Sequence, residues 1–387
     1  MNINNNRIFV NFSERFPGLF RLQAMTPGKA MPGCVGAALE RPAAPALSLA
    51  GHLPALDGIR AVAVMLVFLF HAKVPGFSAG FLGVDVFFVL RGFLITGLLL
   101  TEVERKGSLD YPAFLRRRTV RLMPALLVMV AVFVGLAGIF PVEPAKPAFQ
   151  AALAVLYLAD YGVAFADMPD ELSHAWSLAV EAKFYLIWPA VVLALTKRIP
   201  AERLWTAFAV LALIATLWRA GNAVFLSGWD ITYYRFDTRL SGLLAGAALA
   251  AALRAGVADR LRGLAPVLTV LLFAALAVTP MQWGDKGLLI WGCAISEAAT
   301  IGLIVVVVGR PGIIARGLSV WPLVGLGRLS YGVYLWHYPV IRGLRPLVDW
   351  PGVAVLGFAV SLVLAWLSFV TVERAAAAYR ARPLTRQ

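Results

Sequence analysis

Apolar runs of roughly membrane-spanning length alternate with short polar stretches along most of this chain. They fall near residues 54–73, 80–101, 122–141, 148–166, 175–196, 203–220, 238–254, 264–280, 287–309, 322–344 and 352–373. A helix needs about 20 residues to cross a hydrocarbon layer about 30 Å thick. In lipid every backbone polar group must be satisfied internally, so apolar runs of this length predict helices. The weakest run is 148–166, which reaches Asp160 and Tyr161 and leads into Asp167, Asp170 and Glu171. The pattern predicts an all-α integral membrane protein.

Charge decides how many runs cross. The linker after the second run carries Arg105, Lys106, Arg116, Arg117, Arg118 and Arg121. Basic loops stay on the cytoplasmic side. If 148–166 crossed, Lys197, Arg198, Arg203, Arg254, Arg260, Arg262, Arg310 and Arg316 would all fall outside. If it does not cross, they fall inside, with Arg374, Arg380, Arg382 and Arg386 of the tail. The expectation is therefore about ten transmembrane helices with both termini cytoplasmic. Segment 148–166 becomes a re-entrant or interfacial helix on the outer side. Residues 1–52 mix Asn, Pro, Gly and Arg without helical period and without a signal-peptide core. They read as a disordered cytoplasmic extension, with Met25 or Met31 as alternative starts. Residues 53–375 form the membrane domain and 376–387 a basic cytoplasmic tail.

Composition fits this picture. The chain is 60% hydrophobic and only 14% charged, against about a quarter charged in soluble domains. A formal net charge of +14 would suggest nucleic acid in a soluble protein. Here the basic residues sit between apolar runs, so the charge is topological and no nucleic-acid partner is expected. Cys34 and Cys293 are too far apart to suggest a disulfide framework or a metal site.

Ionisable residues inside spans are costly, and they mark cavities or ion pairs. In the first run Asp57, Arg60, Val64 and His71 share one helix face. Asp57 and His71 are about 21 Å apart along the axis, which puts His71 near the outer end. The second run carries Asp85 towards its outer end and Arg91 at its middle. Arg91 needs a partner, and Asp85 or Glu181 would serve. His174, Ser177, Glu181 and Trp188 share a face of the fifth run. Ser330, Tyr334 and His337 share one in the tenth run, where Trp336 and Tyr338 read as interfacial aromatics. The run Arg116 to Arg121 is either a topology anchor or a phosphate-binding cluster.

Together these segments resemble the acyltransferase-3 family of membrane-bound bacterial O-acyltransferases. Leu56-Asp57-Gly58-Ile59-Arg60 through His71 is similar to the family's opening motif. Gly80-Phe81-Leu82-Gly83-Val84-Asp85 through Phe88, then Gly92 to Thr96, is similar to its second. Arg116 to Pro124 resembles its arginine motif. His174-Ala175-Trp176-Ser177-Leu178 with Glu181 resembles its glutamate motif, and Gly327 through Pro339 its late signature. Arg91 stands where the family usually has a small residue. Arg239 is kept, with Ser241 where an acid is common.

The resemblance implies a cytoplasmic acyl-CoA donor, acetyl-CoA by default, no metal, and a carbohydrate or other hydroxyl acceptor on the outer side of a bacterial inner membrane. It implies Arg117, Arg118, Arg121 and Arg60 at the CoA end. His71 is expected as general base or transient acyl carrier, oriented by Glu181 or Asp85, with His174 beside it. Arg91, Ser330, Tyr334, His337 and Arg239 are candidates for substrate or oxyanion contacts. A transporter or flippase would also use buried charges, but it predicts internal repeats, and none is visible. An inactive family member is the other alternative, kept open by Arg91.

Overall fold

Local sequence sets where the helices begin and end. Helix α1 (Pro54–His71) opens on proline, whose missing N–H costs nothing in a first turn. Helix α2 (Gly83–Lys106) stops at Gly107, which takes a left-handed φ of 66°. Helix α3 (Tyr111–Gly135) is capped by Asp110, whose carboxylate accepts from the Ala113 N–H at 3.0 Å. The later helices are α4 (Pro147–Val155), α5 (Ala159–Ala166), α6 (Trp176–Thr196), α7 (Leu204–Gly221), α8 (Trp229–Tyr234) and α9 (Leu240–Arg254). They continue as α10 (Ala265–Val278), α11 (Cys293–Gly309), α12 (Ile313–Leu318), α13 (Trp321–Leu344), α14 (Trp350–Ser368) and α15 (Arg374–Ala381).

The structure is a computed structural model that describes residues 52–139, 146–168, 170–226, 228–258, 262–263, 265–278, 283–309 and 312–381. All of these belong to one unit, Ala46–Gln387. Of the extension expected over 1–52, all but His52 lies outside the described residues, as does the tail beyond residue 381. The described part of the tail is helical, because α15 follows α14 through a single π turn, Phe369–Glu373.

Among the described residues, seven helical stretches are long and apolar enough to cross a membrane. They are Pro54–His71, Gly80–Lys106, Tyr111–Gly135, Ser173–Thr196, Ala201–Leu226, Leu288–Gly309 and Trp350–Tyr379. Three of the ten expected spans do not meet that standard among the described residues. Helix α9 has 15 residues, and 14 residues of α10 are described. Helix α13 has 24, but Arg328, Ser330, Tyr331, Tyr334 and His337 interrupt its apolar run. Segment 148–166 is broken at Tyr157, with φ 54°, into the 9-residue α4 and the 8-residue α5. Neither approaches crossing length.

Helix α2 is the most enclosed, with α9 along one side of it and α1 along another. Helices α1 and α13 pair in turn, and α14 covers α13. Glycines let backbones touch, Gly246 and Gly327 among them, the usual device where lipid offers helices no hydrophobic gain from association. A Cβ on Gly246 of α9 would sit 2.0 Å from the Val89 carbonyl oxygen of α2. One on Gly327 of α13 would sit 1.9 Å from that of Asp57 on α1. Leu98, Leu213, Leu217, Val355 and Val363 are exposed on the outside, an apolar surface suited to bilayer rather than water.

Candidate active site

Helices α1 and α13 run the same way, so their polar residues meet at both ends. Asp57 lies 3.8 Å from Arg328 at one end. At the other, His71 Nδ1 lies 3.1 Å from His337 Nε2. His174, just before α6, joins the second pair, with its ring centroid 5.5 Å from that of His337. Tyr338, expected only as an interfacial aromatic, stacks against His174 at 5.3 Å and meets His71 edge-on at 4.9 Å.

Proline builds part of this cluster. Pro339 has no N–H, so the Leu335 carbonyl one turn back loses its helical donor. His174 Nε2 takes that place, donating to the Leu335 oxygen at 3.1 Å. His337 Nδ1 likewise donates to the Tyr334 carbonyl at 2.7 Å. A carbonyl only accepts, so in neutral His337 the proton is on Nδ1 and Nε2 is the acceptor. His71 must then donate from Nδ1, and its own lone pair is left on Nε2. The Arg345 guanidinium also donates to the His71 backbone carbonyl.

The carboxylates expected beside His71 are elsewhere. Asp85 pairs with Arg239 at 2.9 Å, both almost fully buried. Arg239 lies between the rings of Tyr233 (4.6 Å), Trp176 (5.4 Å) and Phe88 (5.8 Å) and reaches Cys293 Sγ at 3.2 Å. Beside it Arg219 pairs with Glu297 at 2.9 Å, and Ser241 donates to the same carboxylate at 2.6 Å. Sequence reading passed over Arg219 and Glu297, which stand singly in apolar runs of α7 and α11. Glu181 is 3.3 Å from Arg91 Nε and accepts from the Tyr185 hydroxyl at 2.9 Å. Each acid had a buried arginine to neutralise, which outweighs a neutral imidazole as a partner.

Three cavities hold most of these residues. A cleft of about 1030 Å³ is lined by His71, His174, Tyr334, Val84 and a wall of aromatic rings. A smaller cavity of about 340 Å³ holds Arg91, Glu181, Ser177 and Ser330, and shares Val84 and Tyr334 with the cleft. The Tyr334 hydroxyl is 2.6 Å from Ser177 Oγ and donates to the His174 carbonyl at 3.0 Å. The third, of about 940 Å³, is lined by Arg60, Arg121, Arg328, Arg374, Asp57 and Glu373.

Arg60 and Arg121 thus come together as expected, joined by Arg328 and Arg374, whose distance in sequence hid them. Arg118 is partly buried, with its guanidinium over the Phe114 ring at 5.4 Å. Arg117 lies apart, half-exposed and 3.4 Å from Glu102. Among the described residues, no group of three or more His, Cys, Asp or Glu side chains is placed to hold a metal ion.

Comparison with known proteins matches residues 53–370 to a family model described as an acyltransferase domain. The peptidoglycan O-acetyltransferase OatA of Listeria monocytogenes is 32% identical over 351 residues, covering 83% of this chain and 55% of that protein. The O-acetyltransferase OatA of Staphylococcus aureus is 34% identical over 311 residues, covering 75% and 51%. The chain spans about half the length of these curated relatives. No solved structure matches it.

Proposed function

The chain belongs to the acyltransferase-3 family, and from that premise we propose that it is a membrane O-acetyltransferase using acetyl-CoA and a saccharide hydroxyl. The observation that carries this reading is His71. Its Nδ1 proton is committed to His337, and its ring lines a cleft joined through Val84 and Tyr334 to the Arg91 cavity. The basic cavity beyond suits the phosphates of CoA, because guanidinium forks bind phosphate oxygens in pairs.

In the proposed reaction His71 Nε2 takes the proton of the acceptor hydroxyl. The hydroxyl oxygen attacks the thioester carbonyl carbon. The tetrahedral intermediate expels CoA thiolate, which recovers the proton from His71. Arg91 and Ser330, lining the middle cavity, are the proposed donors to the thioester oxygen. His337 does the orienting that a carboxylate does in a Ser-His-Asp arrangement. In this reading the basic end faces the cytoplasm of a bacterial inner membrane, which the distribution of Lys and Arg supports. The histidine cleft then opens outward. Because the two relatives are named O-acetyltransferases, one of them for peptidoglycan, a cell-wall glycan is the first acceptor to try.

His71→Ala is expected to abolish acetyl transfer from radiolabelled acetyl-CoA in a folded, membrane-inserted protein. Turnover near that of the wild type removes His71 from the mechanism. Arg60→Ala with Arg121→Ala is expected to weaken acetyl-CoA binding at least tenfold by calorimetry. Unchanged affinity returns these residues to the anchor reading.

A further inference from the structure

The cleft beside His71 has walls of one chemical kind. Phe70, Tyr234 and Tyr338 are half-buried on its sides, and Trp283 is 41% exposed at its edge. Trp283 packs across the cleft against Phe70 at 5.6 Å, Phe81 at 5.2 Å and Tyr233 at 4.7 Å. Val84 is the one aliphatic residue among the described residues that line it. Between the rings stand hydrogen-bonding groups: Lys73, Ser173, His71 and Arg345.

An alkyl chain would be served by Leu, Ile and Val, which can close round it from all sides. Flat rings interleaved with donors and acceptors suit a flat molecule with apolar C–H faces and a polar edge, which describes a pyranose ring. The rings hold little side-chain entropy to lose on binding. Their arrangement is also braced from behind. Tyr233 and Trp176, both lining the cleft, lie against the Arg239 guanidinium, itself held by Asp85.

We propose that this aromatic cleft is the saccharide subsite, with Trp283 the ring on which a pyranose stacks to present its hydroxyl to His71. The inference rests on the acyl-transfer reading for the identity of the reacting hydroxyl, but not for binding itself. Trp283 stands on the segment between α10 and α11, remote in sequence from every motif singled out above.

The test measures binding without any donor. The purified full chain, in a detergent with no sugar headgroup, is mixed with N-acetylglucosamine oligomers of two to six rings. Saturation-transfer NMR then reads contact with the sugar C–H protons. Wild type should give transfer that rises with oligomer length. Trp283→Ala should weaken binding at least tenfold, and Trp283→Phe should recover most of it, with thermal unfolding unchanged in both. Absence of transfer to every oligomer overturns the proposal. So does equal binding by Trp283→Ala, or competition by octanol as effective as by sugar. Binding that persists in a chain showing no acetyl transfer would overturn the enzymatic reading and leave the subsite standing.

Discussion

At the scale of single residues, the histidine cluster turns on one missing proton. Pro339 leaves the Leu335 carbonyl without its helical donor, and His174 occupies it. His337 passes a fixed proton arrangement to His71 through the 3.1 Å contact. This makes His337 a positioning residue with a specific requirement: it must accept a hydrogen bond. His337→Leu is expected to lower kcat on the order of 10²-fold, within the range for disabling a general base, with KM little changed. His337→Gln keeps an acceptor oxygen near the place of Nε2 and should recover part of that loss. Equal activity in both variants would make the cluster a packing feature only. The three histidines were legible in the sequence because ionisable groups in apolar runs stand out. Their meeting was not, since His71 and His337 are 266 positions apart. A carboxylate was the natural expectation for the orienting partner, and the buried arginines claimed both candidates.

At the scale of elements, the apolar runs marked the helices well, and capping residues such as Asp110 and Gly107 fixed their ends. The sequence was less informative where a helix is short or polar. Helices α9 and α13 owe their places to neighbours: α9 lies along α2 and α13 along α1. Gly246 permits the first of these contacts. Gly246→Leu should force the two backbones apart and cost on the order of 1–3 kcal/mol, as overpacking does. A lowered thermal unfolding temperature in detergent would show it, and an unchanged one would mean the two helices have slack between them. The same pair is pinned by Asp85 and Arg239. Asp85→Asn leaves a buried guanidinium without its counter-charge, a loss of about 3–5 kcal/mol. The fraction that remains folded should keep its kcat. A fall in kcat at unchanged stability would return Asp85 to the chemistry.

At the scale of the whole molecule, the Arg91 cavity and the histidine cleft share Val84 and Tyr334 as a wall, and a separate basic cavity gathers Arg60, Arg121, Arg328 and Arg374. Positive-inside reasoning anticipated a two-ended arrangement, with arginines at one end and histidines at the other. Shared walls are tertiary properties, so which cavities adjoin had to come from the structure. Arg91 sits in the smallest of the three, and its 3.3 Å contact with Glu181 narrows the way through. Arg91→Ser with Glu181→Gln removes both charges together, so neither is left unpaired. The double variant should accept butyryl-CoA relative to acetyl-CoA better than the wild type does. An unchanged ratio of the two transfer rates would mean that the acyl group never passes Arg91.

The paired charges behind the cleft also bear on how the chain is made. A ribosome delivers Asp85 first, then Arg219, Arg239 and Glu297. Asp85 waits for a partner 154 residues downstream, and Arg219 for one 78 residues downstream. At synthesis rates of about 5–20 residues per second, those waits are on the order of ten seconds. An unpaired charge set into an apolar span is costly to insert. Early helices α2 and α7 therefore have reason to linger at the insertion machinery until α9 and α11 emerge, and nascent chains stalled before Glu297 should be the ones that quality-control proteases find first.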